Sequence, residues 1–219
     1  MLSAENLEAI RAEGQRLLER ARSDLARPVP QYPGWDMAGL ASHMGGVHAR
    51  MTLICKERPS ERPSVPRRPD GVDLLEWCEG NLDEMLATFI ESNPDTPVWG
   101  FWPDPNLGLW ERRMVIETGL HRWDADQSFG DPVPLGDLVA LSALNEFEDM
   151  WMPRLGEMPA LELIATDLGK GWVYGAGTPV ATVSGTASDL YLRLMSRPSP
   201  VMLPETWAVG VDALEGPPR

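Results

Sequence analysis

Residues 35–54 read WDMAGLASHMGGVHARMTLI, and this stretch carries the plainest structural signal in the chain. Its larger apolar side chains recur at the spacing of one helix face: Leu40, Met44, Val47, Met51 and Ile54. Asp36 is placed to cap the first turn, because a carboxylate accepts hydrogen bonds from the N–H groups of a helix start. The stretch therefore predicts an amphipathic helix whose apolar face packs against other helices.

The same periodicity recurs through the first two thirds of the chain. The other predicted helices span residues 7–25, 73–92, 110–128 and 135–152. Proline-rich segments separate them, and the segment at 58–70 contains four prolines. Residues 1–154 are therefore predicted to form a mainly α domain, a helix bundle with long connections.

The last third has a different pattern. Strands are predicted at 161–167, 172–174, 180–183 and 207–211, and a helix at 187–195. Residues 155–219 are therefore predicted to form a small α+β domain, which makes the whole chain α+β.

Composition and charge disfavour some classes of partner. Of 219 residues 43% are hydrophobic and 24% charged, which is typical of a globular protein. The formal net charge of −14 disfavours nucleic acid and anionic membranes as partners. Cys55 and Cys78 are too few for a disulfide framework, and the N-terminus does not resemble a signal peptide, so a cytoplasmic location is expected.

The three histidines are His43, His48 and His121. Positions 43 and 48 differ by about 140° around a helix axis, so both cannot readily reach one small ligand. His43 is on the apolar stripe. His121 follows Glu117 by four residues, so those two side chains share a helix face.

An inward histidine together with a Glu-xxx-His pair could form a three-ligand metal site, because a buried glutamate is costly unless it is paired or binds a cation. The residues alone leave two simpler arrangements open. The pair could be a solvated salt bridge, and His43 could be a core histidine. The sequence lacks the HExxH, GxSxG, P-loop and GxGxxG motifs of other enzyme classes.

Three motifs resemble one known family in the right order. They are GWDMAGLASHMGGVH at 34–48, RMVIETGLHRWDA at 113–125 and VSGTASDLYLRL at 183–194. They are similar to segments of the mycothiol-dependent maleylpyruvate isomerases, which are DinB-like metalloenzymes. The resemblance implies a DinB-like four-helix bundle with His43, Glu117 and His121 as ligands of Zn²⁺ or another divalent metal.

The resemblance further implies that mycothiol, activated as a thiolate, performs isomerisation or S-transfer on a small anionic electrophile. The expected partners are thus a low-molecular-weight thiol and a small substrate, and the protein would be a monomer or homodimer. A non-catalytic regulatory protein and a metal-dependent hydrolase are the alternatives. Two positions depart from the family pattern: Ile116 replaces a histidine, and Ser196 replaces the glycine before Arg197.

Several residues near these motifs each have two possible roles. Arg197 could bind a substrate carboxylate as a catalytic residue or cap helix carbonyls. Asp124 could orient a ligand imidazole or bind backbone. Arg113 and Arg122 could face solvent or pair with nearby acids. The aromatic segment at 98–105 could be a lid or a packed loop.

Overall fold

The structure is a computed structural model that describes residues 3–214. These residues form two compact units that part between Val133 and Pro134. The first unit is the four-helix bundle that the sequence predicts. Its helices are α1 (Ala4–Ser23), α2 (Met37–Glu57), α3 (Leu74–Ile90) and α4 (Leu107–Phe129).

Each helix of the bundle begins at a residue whose side chain accepts a backbone hydrogen bond. These N-caps are Ser3, Asp36, Asp73 and Asn106. Such residues satisfy N–H groups that have no partner inside the helix, which fixes where each helix starts. Gly130 ends α4 in the left-handed conformation, with φ of 80°.

Close packing within the bundle depends on a small residue of α2. A Cβ atom on Gly45 would lie 2.6 Å from the Trp77 ring and 2.8 Å from the Cys78 sulfur of α3. Any larger residue would push the two helices apart. Helix α1 packs mainly on α4, and α2 also contacts α4. This last contact positions the candidate site.

The second unit contains a small sheet with helices. Its elements are α5 (Asp137–Met150), α6 (Met152–Leu155), β1 (Pro159–Ala165), β2 (Lys170–Tyr174), β3 (Ala176–Gly185), α7 (Ala187–Leu194) and α8 (Glu205–Asp212). The strand order is β2-β1-β3, with β2 antiparallel and β3 parallel to β1. Between β2 and β3 the chain turns at Gly175, where φ is 86° and a Cβ would lie 2.7 Å from two backbone oxygens. The predicted α+β fold is thus confirmed.

The predicted strand at 207–211 is wrong, because this segment lies within α8. In a strand, Trp207, Val209 and Val211 would share one face. Instead Trp207 and Val211, which are four residues apart and share a helix face, are both buried. Val209, on another face, is 65% exposed.

The division between the two units also lies earlier than the predicted boundary at 154/155. Helix α5 belongs to the second unit, because Tyr174 donates a hydrogen bond to the Leu144 carbonyl at 2.5 Å. Trp172 likewise donates to the Asn145 side chain at 2.9 Å. Among the described residues, no helix has the length and apolar character needed to span a membrane.

Candidate metal centre

Helices α2 and α4 bring the three predicted ligands together. Asp36 accepts a hydrogen bond from the Gly39 N–H at 2.8 Å and starts α2, which places His43 about two turns into the helix. Glu117 and His121 project from one face of α4, one turn apart.

The donor atoms of His43, Glu117 and His121 all lie within 4.8 Å of one another. Glu117 Oε1 is 3.7 Å from His43 Nε2 and 3.4 Å from His121 Nε2. The two imidazole rings are 5.0 Å apart and meet edge to face. The His43 side chain is 30% exposed, against 15% for Glu117 and 8% for His121, so His43 is the most accessible of the three.

These residues fit a divalent ion. Two imidazoles and one carboxylate are the ligand set of open catalytic zinc sites, which keep a fourth position for a further ligand. With metal–ligand bonds of about 2.0 Å, neighbouring donors of a tetrahedral site lie about 3.3 Å apart. The observed separations of 3.4 and 3.7 Å are close to that spacing.

The charges of the centre favour an ionised carboxylate. Burial favours the neutral acid, but the charge of Arg113 and hydrogen bonds from His121 and His43 outweigh it and hold the pKa of Glu117 well below its ordinary value. Burial lowers the pKa of His43. Burial also favours neutral His121, but hydrogen bonds to Asp124 and Glu117 raise the pKa of that imidazole to about 9.

Asp124 orients one ligand. His121 Nδ1 donates a hydrogen bond to the buried Asp124 carboxylate at 3.1 Å, which directs His121 Nε2 toward Glu117. Of the two roles that the sequence leaves open for Asp124, the structure therefore shows the contact with the imidazole. Carboxylates in this position commonly fix the tautomer and ring orientation of histidine ligands.

His48 is not part of this cluster. Its Nε2 atom lies 3.3 Å from the Thr118 hydroxyl, inside the bundle. Burial lowers the pKa of His48 to about 4, so the ring is neutral at physiological pH. Both observations agree with the expectation that His43, and not His48, joins the Glu-His pair.

Three further residues lie beside the centre: Arg113, for which the sequence left pairing with an acid open, and two aromatic residues that sequence reasoning missed. Arg113 is buried and forms an ion pair with Glu117, and its i,i+4 spacing from that glutamate was a usable signal. The Tyr32 ring is 5.7 Å from His121, and the Trp35 ring is 5.5 Å from His43. These two aromatic residues lie in the segment before α2, and each ring packs beside one of the two imidazoles.

The aromatic segment at 98–105 is packed against the start of α4. The rings of Trp99, Phe101 and Trp102 lie 5.9, 5.5 and 5.5 Å from the Trp110 ring. Trp110 donates a hydrogen bond to the Trp99 carbonyl at 2.6 Å. The segment is therefore a packed loop, since its aromatic side chains bury one another.

Both cysteines are buried and neither belongs to the cluster. Burial raises the pKa of each thiol to about 12. The Cys78 thiol donates a hydrogen bond to the Ala41 carbonyl at 3.1 Å. These thiols therefore have the character of core residues, not of nucleophiles.

Arg197 belongs to the second unit and is buried just after α7. Its guanidinium donates a hydrogen bond to the Met195 carbonyl at 2.8 Å, as expected for a residue that caps a helix end. The preceding Ser196 has φ of 56°, so this turn keeps the left-handed conformation that glycine favours. The Ser196 hydroxyl donates to the Val211 carbonyl at 3.0 Å, which offsets part of that strain. The catalytic role of Arg197 stays a prediction.

Comparisons with known proteins agree with the fold and identify a family. The family model of the mycothiol maleylpyruvate isomerase N-terminal domain matches residues 7–126, more than half of the chain. A crystal structure of the mycothiol-dependent maleylpyruvate isomerase aligns with a TM-score of 0.72 at 13% identity, covering 92% of this chain and 94% of that one. A crystal structure of a histidine-to-alanine mutant of that isomerase aligns with a TM-score of 0.71, the same identity and the same coverage. The comparison with curated proteins gave no match.

Proposed function

We propose, since this chain belongs to the mycothiol maleylpyruvate isomerase family, that it is an enzyme that uses a divalent metal and mycothiol. Its reaction would be isomerisation or S-transfer on a small, anionic electrophile. The observation that carries the proposal is the convergence of His43, Glu117 and His121 within 4.8 Å, with the ligand set of an open zinc site.

His43, Glu117 and His121 would hold the ion through Nε2, a carboxylate oxygen and Nε2. A bound Zn²⁺ supplies Lewis acidity, which lowers the pKa of a thiol at its open position. Asp124 holds the proton on His121 Nδ1, so Nε2 is the nitrogen that would bind the ion. Arg113 neutralises part of the Glu117 charge, and Tyr32 and Trp35 exclude water from one side of the imidazoles.

The thiol would come from the cofactor and not from the chain. Cys55 is twelve residues after His43 on the same helix, about 18 Å away by helix rise. Cys78 is directed at a backbone carbonyl of α2. An external thiol such as mycothiol is therefore the nucleophile that this site accommodates. Arg197 remains our candidate for a second-unit residue that binds a substrate carboxylate.

Metal analysis of two histidine variants tests the ligand set. The purified parent protein should contain about one divalent ion per chain, most readily Zn²⁺. His43→Ala should lose that metal, because a third of the ligand set is removed, whereas His48→Ala should keep it. Equal metal content in the two variants would show that the assigned ligands are incorrect.

Calorimetry with mycothiol tests the thiol. Binding to the zinc-loaded protein should release the thiol proton, so the measured heat should depend on the ionisation enthalpy of the buffer. Maleylpyruvate, the substrate in the family's name, is the first electrophile to assay. If the zinc-loaded protein does not bind mycothiol, the regulatory or hydrolytic alternatives replace this proposal.

A further inference from the structure

Arg50 is a half-buried arginine of α2 that has no acidic partner within the described part of the chain. It lies seven residues after His43, about 10 Å along the helix axis and within about 20° of the same face. Among residues 3–214, its guanidinium forms no hydrogen bond and no ion pair. Burying part of a charged guanidinium without a partner costs free energy, so the position of Arg50 needs a physical explanation.

The packing of α2 on α4 places Arg50 beside the metal centre. The ring of His43 lies 5.0 Å from His121, and further along α2 the ring of His48 lies 3.3 Å from Thr118. The two helices therefore run antiparallel at this contact, and Arg50 is at the level of the α4 turn that precedes Glu117. Arg50 and the Glu117 carboxylate also interact electrostatically.

A second arginine approaches Arg50 from the segment that follows α2. A Cβ atom on Gly46 would lie 2.6 Å from the Val65 side chain, so the glycine allows this segment to cross close over α2. Arg62 belongs to the same segment, and its guanidinium lies 5.7 Å from the centre of the Phe101 ring. Burial and the like charge of Arg62 together lower the pKa of Arg50.

The acid of the centre does not neutralise the charge of Arg50. Glu117 is already paired with Arg113 and lies between the two ligand histidines. Arg50 and Arg62 therefore repel each other with no carboxylate of the described residues bonded to Arg50. A small anion between the metal centre and these arginines would relieve that repulsion.

We propose that Arg50 binds a carboxylate of the substrate at the edge of the metal centre. A guanidinium on a well-ordered helix presents two parallel N–H donors, which matches the two oxygens of a carboxylate. Arg62 adds positive potential at the same place. The inference rests on the proposed function, since it names the group that holds the anionic substrate near the activated thiol.

The test is calorimetric binding of maleate, a small dicarboxylate, to the zinc-loaded protein, with neutral dimethyl maleate as the uncharged probe. Arg50→Gln should weaken maleate binding by about 10- to 100-fold, as for loss of a charge-assisted bidentate contact. Arg50→Lys keeps the positive charge but loses the two parallel N–H donors, so its affinity for maleate should lie between those of the parent and Arg50→Gln. Arg22→Gln removes an exposed arginine of the same unit, paired with Glu79, and should leave the affinity within about twofold.

The inference is overturned if maleate binds Arg50→Gln as tightly as the parent, if Arg22→Gln loses as much affinity, or if the parent binds dimethyl maleate equally well. Absence of maleate binding to the parent at millimolar concentration overturns it as well. Zinc content and far-UV circular dichroism show whether each variant is folded. If Arg50→Gln is misfolded, the affinity of Arg50→Lys for maleate decides the test. If the parent binds no zinc, the proposed function fails, and the same titration on metal-free protein still tests Arg50.

Discussion

Helix α4 contributes to two charged clusters, and in each an ionised carboxylate of the helix is stabilised by different partners. The metal cluster consists of His43, Glu117 and His121. The arginine cluster surrounds Asp126, whose carboxylate lies 2.8 Å from Arg20, 3.0 Å from Arg122 and 3.1 Å from Arg16. Each contains a carboxylate of α4, and the two are about two and a half turns apart, but imidazoles flank only the Glu117 carboxylate.

The difference lies in what completes each cluster. Three guanidinium groups satisfy the Asp126 carboxylate, which is fully buried, so this cluster needs nothing from outside. In the metal cluster, one arginine and two imidazoles surround the Glu117 carboxylate, both imidazoles can give up a proton to bind a metal, and the His43 side chain is 30% exposed. One arrangement therefore stabilises the bundle, and the other leaves coordination capacity for a ligand.

The largest expected effect is on the arginine cluster. Asp126→Ala should lower the free energy of unfolding by about 3 kcal/mol, because it removes the acid shared by the buried Arg122 and the partly exposed Arg16 and Arg20. Urea denaturation of the metal-free protein measures this change. Asp131→Ala removes a 63% exposed carboxylate that also pairs with Arg20, and should cost no more than about 1 kcal/mol. Equal losses in the two variants would contradict the assigned difference.

The same cluster predicts a dependence on pH. Burial favours neutral Asp126, but hydrogen bonds from Arg20, Arg122 and Arg16 outweigh it and hold the pKa of that carboxyl below its ordinary value. Its stabilising contribution is therefore complete above the unfolded pKa of about 3.9 and is lost as the pH falls through the folded value. Below about pH 4, the stability of the parent should fall more steeply than that of Asp126→Ala.

A smaller effect is expected when the metal cluster loses its orienting carboxylate. Asp124→Asn should weaken zinc binding by about 10- to 100-fold, because a neutral amide holds the Nδ1 proton of His121 less strongly than a carboxylate does. Competition with a chelating zinc indicator measures the affinity. Asp126→Asn, in buffer where it remains folded, should retain the zinc affinity of the parent. The roles of the two clusters would not be separable if both variants lost zinc to the same degree.

Local spacing predicted most of the fold and suggested the three residues of the metal cluster, and the family resemblance favoured them over the simpler arrangements. The i,i+4 relation of Glu117 and His121 holds in any helix, and the period of α2 puts His43 on the packed stripe. The caps at Asp36 and Asn106 act within one turn of their own helix. Patterns of this kind do not require knowledge of the partner helix.

What the sequence did not predict depends on contacts between distant segments. Arg16 and Arg20 meet Asp126 only because α1 packs along α4, more than 100 residues away. The approach of Val65 to Gly46 likewise depends on how the segment at 58–70 crosses α2. The strand predicted at 207–211 is wrong for a different reason. The apolar residues of this segment fit the spacing of either a strand or a helix. In α8, Trp207 and Val211 are buried together, and the Trp207 indole donates a hydrogen bond to the Pro159 carbonyl of β1.

The smallest effect on zinc is expected from the cysteines, although the proposed chemistry uses a thiol. With a pKa raised to about 12 by burial, each thiol is ionised at pH 8 to an extent on the order of one part in ten thousand. The Cys55→Ala, Cys78→Ala double variant should keep full zinc content and mycothiol binding, with a loss of about 1 kcal/mol of stability per site from the removed sulfur atoms. In the folded parent, iodoacetamide should react slowly with both thiols at pH 8, and urea should abolish that protection. Loss of zinc from the double variant would show that a cysteine binds the metal. The distinction between buried core residues and the metal cluster that binds a ligand would then be incorrect.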